Sequence, residues 1–360
     1  MANRYANREA IKAAGNIMGT ADDQRIDDAG AAASANIERI TRRSFIPRTE
    51  TRTYRYPERF VRTGSGGMML WLDQDLLSVD TLKTQAQDSS PTTIASSDYF
   101  LEPNNPGVDG LQRFNRVEID TSSSAALASG ATPQRSIEIV GDWGWWKKTT
   151  TLKATAAEAI DISETDIDVD RVDQVAPGDM ILIDSEQMVV QDWTWIAPTS
   201  AVLLDGALTK TKNQVAITVD TGHGIVAGEL IMVDAEQMLV LSLTGATTLN
   251  VVRDAQGSVL AAHDNNTALQ VRRRLTVERG ANGSTAATHN TASAIARYDV
   301  PGDIHEWAVA EALVAFAQGG AQYGRVIGSG DAGSEASGRS VTTMRKEIGA
   351  RYRRARIEAI

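Results

Sequence analysis

The stretch Gly178-Asp-Met-Ile-Leu-Ile-Asp-Ser-Glu-Gln-Met-Val-Val190 recurs 50 residues later as Gly228-Glu-Leu-Ile-Met-Val-Asp-Ala-Glu-Gln-Met-Leu-Val240. A matching segment precedes each copy, Ile167-Asp-Val-Asp170 and Ile217-Thr-Val-Asp220. Ile181 and Ile183, like Ile231 and Val233, take alternate positions before an Asp-x-Glu corner and a second apolar run, which predicts a hairpin in each copy. A second repeat pairs Leu249-Asn-Val-Val-Arg-Asp-Ala-Gln-Gly-Ser-Val-Leu-Ala-Ala-His263 with Leu275-Thr-Val-Glu-Arg-Gly-Ala-Asn-Gly-Ser-Thr-Ala-Ala-Thr-His289, at an offset of 26. The order along the chain is front, front, back, back, whereas two consecutive domains would alternate. Nesting is therefore expected: one small all-β barrel or sandwich of residues 147–194 plus 272–298, with a second copy, 195–271, inserted into it.

Charge separates the same region. The net charge is −10, and between Thr150 and Tyr298 there are 19 Asp plus Glu against 10 Lys plus Arg, a balance of −9. The remainder is nearly neutral. A length of 360 residues allows two or three domains, and an apolar fraction of 42% supports a sizeable core. With no cysteine, disulfides, thiolate metal sites and a cysteine nucleophile are excluded. The polar start, Met1 to Thr20, carries Arg4, Arg8 and Lys12 and reads as no secretion signal. No apolar run approaches the roughly 20 residues of a membrane span, so no membrane partner is expected. An acidic chain is also a poor coat for nucleic acid, whose phosphates need clustered Lys and Arg.

Outside the acidic unit, Ile26, Ala29, Ala33, Ile37 and Ile40 recur at helical spacing and predict one amphipathic helix over Ala21 to Arg43. A shorter helix is predicted from Asn7 to Met18. Short β-type runs follow from Arg48 to Trp146: Thr51–Tyr56, Met68–Leu72, Val79–Leu82, Tyr99–Leu101, Arg116–Asp120 and Ser136–Val140. Helix returns at Val300 to Gln318, where Ile304, Trp307, Ala308, Ala312 and Ala315 share a face whose one charge is Glu311. Gly319 to Ser340 reads as a loop and Val341 to Ile360 as a basic helix. The fold class is accordingly α+β, a helical hub with an irregular β segment and an inserted pair of nested β domains.

The hub pieces resemble the head-to-tail connector, or adaptor, proteins of tailed bacteriophages. The resemblance lies in Ile37-Glu-Arg-Ile-Thr-Arg-Arg-Ser-Phe45, Leu70-Trp-Leu-Asp-Gln-Asp-Leu77, Asp98-Tyr-Phe-Leu-Glu-Pro103, Ile137-Glu-Ile-Val-Gly-Asp-Trp-Gly-Trp145 and Asp299-Val-Pro-Gly-Asp-Ile-His-Glu-Trp-Ala308. It covers residues 1–146 and 299–360, which would form one adaptor core, and departs from the family where about 150 residues separate Gly-x-Trp-Gly from the Val-Pro helix. It implies a non-enzymatic virion protein of the phage neck, assembled in the host cytoplasm. The implied partners are the portal protein, a stopper or tail-completion (tail-terminator) protein, further copies of the chain in a twelvefold ring, and genomic DNA passing along the channel. A C-terminal segment would reach the portal, and in this chain the basic tail offers Met344, Arg345, Ile348, Arg351, Tyr352, Arg353, Arg354, Arg356 and Ile357 as the candidate portal-binding residues. This tail is expected to be disordered or loosely helical until it docks, its apolar positions in a partner groove and its guanidinium groups on acidic rims.

Each feature that could carry chemistry has a plainer reading. Gly328-Ser-Gly-Asp-Ala-Gly333 has dinucleotide-loop spacing but follows a helix, not a strand, so no cofactor is expected. Asp161, Glu164, Asp166, Asp168 and Asp170 lack the glycine and terminal glutamate of a calcium loop, and strand alternation makes them a solvated face over inward Ile167 and Val169. His263 and His289 hold equivalent repeat positions, as do the pairs Asp184, Glu186 and Asp234, Glu236, which favours structure over catalysis or metal binding. Trp143, Trp145 and Trp146 stand where the acidic unit leaves the core and are expected to anchor that junction. A second functional class is a tail- or capsid-associated binding module whose β insert contacts another virion protein or a glycan. A cell-wall hydrolase or lyase finds no nucleophile and base in this sequence.

Overall fold

The computed structural model describes residues 3–56, 60–62, 68–198, 201–320 and 340–354. These form an α+β arrangement of helices α1 (Arg8–Gly15), α2 (Asp23–Thr41), α3 (Gly302–Gly320) and α4 (Val341–Tyr352) with two antiparallel sheets. Asn7 starts α1 by accepting the Ala10 amide at 2.8 Å, one of the donors a helix leaves open at its first turn. The stripe Ile26, Ala29, Ala33 and Ile37 of α2 is buried against Ile304, Trp307, Ala308 and Ala312 of α3. Tyr5, Phe45 and Ile348 complete this helical core. Glu311, the charge on the apolar face of α3, is 6% exposed and accepts bonds from Asn36, Trp307 and Arg345. A carboxylate so supplied can be buried without the cost of an unpaired ion.

The first sheet holds β1 (Arg48–Tyr54), β2 (Phe60–Arg62), β3 (Met68–Thr84), β4 (Thr92–Ile94), β5 (Tyr99–Glu102), β6 (Phe114–Ile119) and β7 (Ile137–Trp143). Its order is β1-β7-β3-β6-β5, with β2 and β4 also on β3. The two runs read separately at Met68–Leu72 and Val79–Leu82 are one strand, because register shifts near Trp71, Leu76 and Val79 interrupt the alternation without ending the ladder. Gly141 of β7 lies where a β-carbon would stand 2.1 Å from the Ser78 carbonyl oxygen, so only glycine fits opposite that shift.

The second sheet holds β8 (Lys148–Thr155), β9 (Asp166–Asp168), β10 (Met180–Ile183), β11 (Glu186–Ile196), β12 (Ala216–Thr218), β13 (Leu230–Val233), β14 (Glu236–Thr244), β15 (Thr248–Val252), β16 (Leu269–Glu278) and β17 (Ala294–Asp299). Both repeated hairpins form, β10 with β11 and β13 with β14, in the same register around Asp184 and Asp234. One strand, β16, serves both copies. Its first part pairs with β13 (Ile231 opposite Val271), and its second with β11 (Val190 opposite Val277) and β9 (Ile167 opposite Leu275). Within β16 the segment from Leu275 therefore pairs with β11 of the hairpin Met180–Val190 and with β9, while the pairing with β13 of the copy is confined to Leu269–Val271. Two buried clusters lie along this sheet, one around Ile167, Ile181, Val190 and Leu275, the other around Ile217, Ile231, Val240 and Leu249.

The first copy is fastened to the helices. Met180, Val189 and Ala281 belong to the helical core, the Arg8 amide donates to the Pro177 carbonyl at 2.8 Å, and the Arg8 guanidinium meets Asp27 and Asp192. Gln187 donates to the Pro47 carbonyl. Gly283, at φ +80°, sits against Thr49 with no room for a β-carbon.

The C-terminal tail corrects the sequence expectation. Val341–Tyr352 is an ordered helix seated on the hub, capped by Ser340, with Ile348 1% exposed. Its apolar positions pack on this chain's own α2 and α3 and not on an open groove. Helix gives way to extended backbone at Arg353, short of Ile360. Arg356, Ile357 and the Gly328–Gly333 loop lie outside the described residues.

Candidate functional site

Two identical polar centres close the repeats. In the second copy the Glu236 carboxylate receives both the Nε and one Nη of Arg253, each at 2.7 Å, and the ring of His263 bridges Glu236 (2.9 Å) and Asp234 (2.7 Å). In the first copy Glu186 meets Arg279 at 2.7 and 2.9 Å, while His289 bridges Glu186 and Asp184 at the same 2.9 and 2.7 Å. Burial alone would raise the two glutamates. Donors outweigh it: Arg279, His289 and the amides of Ala287 and Gly280 hold Glu186 down at about 2, and Arg253, the Ala261 amide, His263 and the Asp254 amide do the same for Glu236. Every lone pair of such a carboxylate is committed, so it has none to spare for a substrate proton. The centres are clasps that join a hairpin to the strand returning from the other half of its copy.

The acidic run of the first copy is also built into the sheet. Ile167 and Val169 are buried, Arg274 takes Asp168 in a bidentate pair at 2.7 and 2.8 Å, and Thr276 donates to Asp166. No group of three metal-ligating side chains occurs among the described residues. Of the remaining histidines, His223 accepts the Ile225 amide at 2.9 Å and His305 contacts the Tyr5 carbonyl at 2.9 Å. No described helix is long and apolar enough to cross a membrane.

The tryptophans occupy three settings. Trp143 is buried in the core of the first sheet and donates to the Glu50 carbonyl at 3.1 Å. Trp145 lies between two guanidinium groups, Arg43 at 3.3 Å and Arg113 at 3.8 Å from its ring centre. Trp146 packs on the helical core, with Lys148 5.0 Å from its ring. Cations on aromatic faces add attraction where water is scarce.

Positive charge collects at the end of the helical layer. A cleft of about 700 Å³ is lined by Ile40 and Arg42 of α2's end and by Arg345, Lys346, Arg353 and Arg354. Behind it, Arg354 is buried on Asp75 and on the Leu72 carbonyl, and Arg43 shares the same carboxylate at 3.3 Å. Burial, together with repulsion from Arg354 and Arg113 and against the pull of Asp75, pushes Arg43 down to about 10. Of the tail residues singled out by sequence, Arg345 is held by Glu311, Arg351 and Tyr352 by Asp303, and Met344 packs on the helical core. Lys346 and Arg353 are exposed. Arg42, which lies within the Ile37–Phe45 motif and is half-buried, lines the same cleft, because α2 ends there in a left-handed turn at φ 57°.

The chain matches no family model, no curated protein and no solved structure.

Proposed function

We propose that the protein is a structural connector of a tailed-phage neck, a ring component that docks an acidic portal surface through the basic end of its helical layer. The observation that carries this reading is that Arg42, Lys346 and Arg353 line one cleft, on a chain whose net charge is −10. An acidic protein concentrates cations on one surface most usefully for a partner of opposite sign. The sequence motifs resembling connector proteins run through α2, whose end lines this cleft, and through the first sheet and α3, while the rest of the lining comes from α4 and the two residues after it. In the same reading the acidic unit is one β domain inserted in another. The two separate apolar clusters and the shared strand β16 support that division.

Removing the tail after Ser340 would be a poor test, since it would also uncover Trp307 and take Arg354 from buried Asp75. Reversing Lys346→Glu and Arg353→Glu leaves the buried contacts alone. The double variant should lose at least about tenfold in affinity for the cognate portal ring, about 1.4 kcal/mol, and the wild-type affinity should fall with salt. Unchanged binding of a folded double variant, measured by sedimentation with portal, would place docking elsewhere.

A further inference from the structure

The two repeat copies present the same face to different surroundings. In the first copy that face consists of Met180, Val189 and Ala281, all buried in the helical core. The equivalent residues of the second copy, by the offsets of 50 and 26, are Leu230, Leu239 and Ala255. All three line a cleft of about 500 Å³ between the second copy, the loop Val172–Ala176 and Met18. Pro177 and Gly178, which receive α1 in the first copy, are buried, while their counterparts Ala227 and Gly228 are exposed.

The margins of the face differ in a telling direction. In the first copy Gln191 donates to Glu278 at 3.3 Å, a polar edge beside the helices. At the equivalent positions the second copy has Leu241, 57% exposed, and Val252, 40% exposed. Met18, 72% exposed, adds a third apolar side chain at the cleft. Substituting Leu and Val for a hydrogen-bonded pair on an open face costs solubility without stabilising the isolated chain, whereas it strengthens a contact that covers them.

We propose that this face of the second copy docks a second copy of the whole chain, as the first copy's equivalent face docks the chain's own helical layer. The proposal rests on the ring reading above and gives it a surface. Charge fixes the orientation. The unit Thr150–Tyr298 carries a balance of −9, so a contact pairing two such units face to face would oppose like charges. The occupant is therefore the nearly neutral remainder of the neighbour, residues 1–146 or 299–360. Such a contact is heterologous, the kind that closes into rings.

The chain has no cysteine, so Leu241→Cys creates a unique attachment point for a benzophenone photo-crosslinker. Mixing ¹⁵N-labelled and unlabelled protein separates links between molecules from links within one. The expected result is mixed-isotope crosslinks from position 241 to peptides outside 150–298. Leu241→Lys with Val252→Lys, both exposed and compatible with folding, should weaken self-association at least about tenfold by analytical ultracentrifugation, with an unchanged circular dichroism spectrum. Self-association that the double variant leaves intact would overturn this surface while leaving the connector reading standing. Crosslinks confined to the neighbour's 150–298 would overturn the orientation. A wild type that stays monomeric at every concentration would overturn the self-docking itself, and the connector reading would then be judged by the portal experiment alone.

Discussion

Glu186 and Glu236 sit in matching clasps, and their depressed acidity makes stability depend on pH in a definite direction. Each carboxyl is held at about 2 against an ordinary 4.5. A group whose folded value is depressed contributes stability that is complete above its unfolded value and fades as pH falls through the folded one. Acid unfolding of the acidic unit should therefore begin below about pH 4.5 and finish near pH 2. Glu186→Gln with Glu236→Gln should flatten that dependence while lowering stability at neutral pH, measured by chemical denaturation across the range. A wild-type stability that stays level from neutral pH down to pH 2 would contradict the clasp. The sequence showed His263 and His289, and the Asp-x-Glu corners, as equivalent in the two copies, which argued for structure. It did not bring them together, because the contact spans 27 residues in one copy and 103 in the other. Arg253 and Arg279, four residues after Leu249 and Leu275, were the visible signal, an arginine repeated where a buried carboxylate needs a partner.

Helix α4 shows what sequence periodicity leaves open at the scale of an element. The spacing of Met344, Ile348 and Tyr352 identified a face without saying whose surface it meets, and that surface is the chain's own. Ile348 is 1% exposed, Tyr352 stands edge-on to Phe45 with ring centres 5.3 Å apart, and Gly349 lies against Ile40 and Trp307. Ile348→Ala should cost about 2–5 kcal/mol, the range for emptying a buried aliphatic site. If α4 belongs to the cooperative core, the loss will appear in the global transition; faster hydrogen exchange confined to Val341–Tyr352 would instead mark it as a separately opening unit. The regular helices were easier to read. The Ala21–Arg43 stripe became Asp23–Thr41, an ordinary margin for helix ends. Strand β3 was harder, since each register shift moves side chains to the other face and breaks the period-2 signal.

At the scale of the molecule, the repeat order front, front, back, back has a mechanical consequence in β11 and β16. The second copy leaves the first after Ile196 and returns through Leu269, and Ile196 stands directly opposite Val271 in the ladder. Its entry and exit are thus neighbours across a strand pair, and closing so short a gap costs little chain entropy. Excising residues 198–268 and joining the ends with a short Asn-Gly turn should convert β11 and β16 into a plain hairpin. The remaining protein keeps the anchorage of the first copy on the helices, since Met180, Val189, Ala281, the Arg8 to Pro177 bond and the Glu186 clasp all lie outside the cut. It should stay folded, with exchange protection preserved at Val189–Val190 and Val277. Removing the whole acidic unit is a different operation, because it strips three buried residues from the helical core and leaves Arg8 without Asp192. That larger deletion should destabilise the helices, measured as a lower melting temperature than the smaller excision gives. If the two deletions melt alike, the first copy contributes nothing to the helical layer. If the smaller one unfolds, β16 needs its pairing with β13 to hold the first copy together.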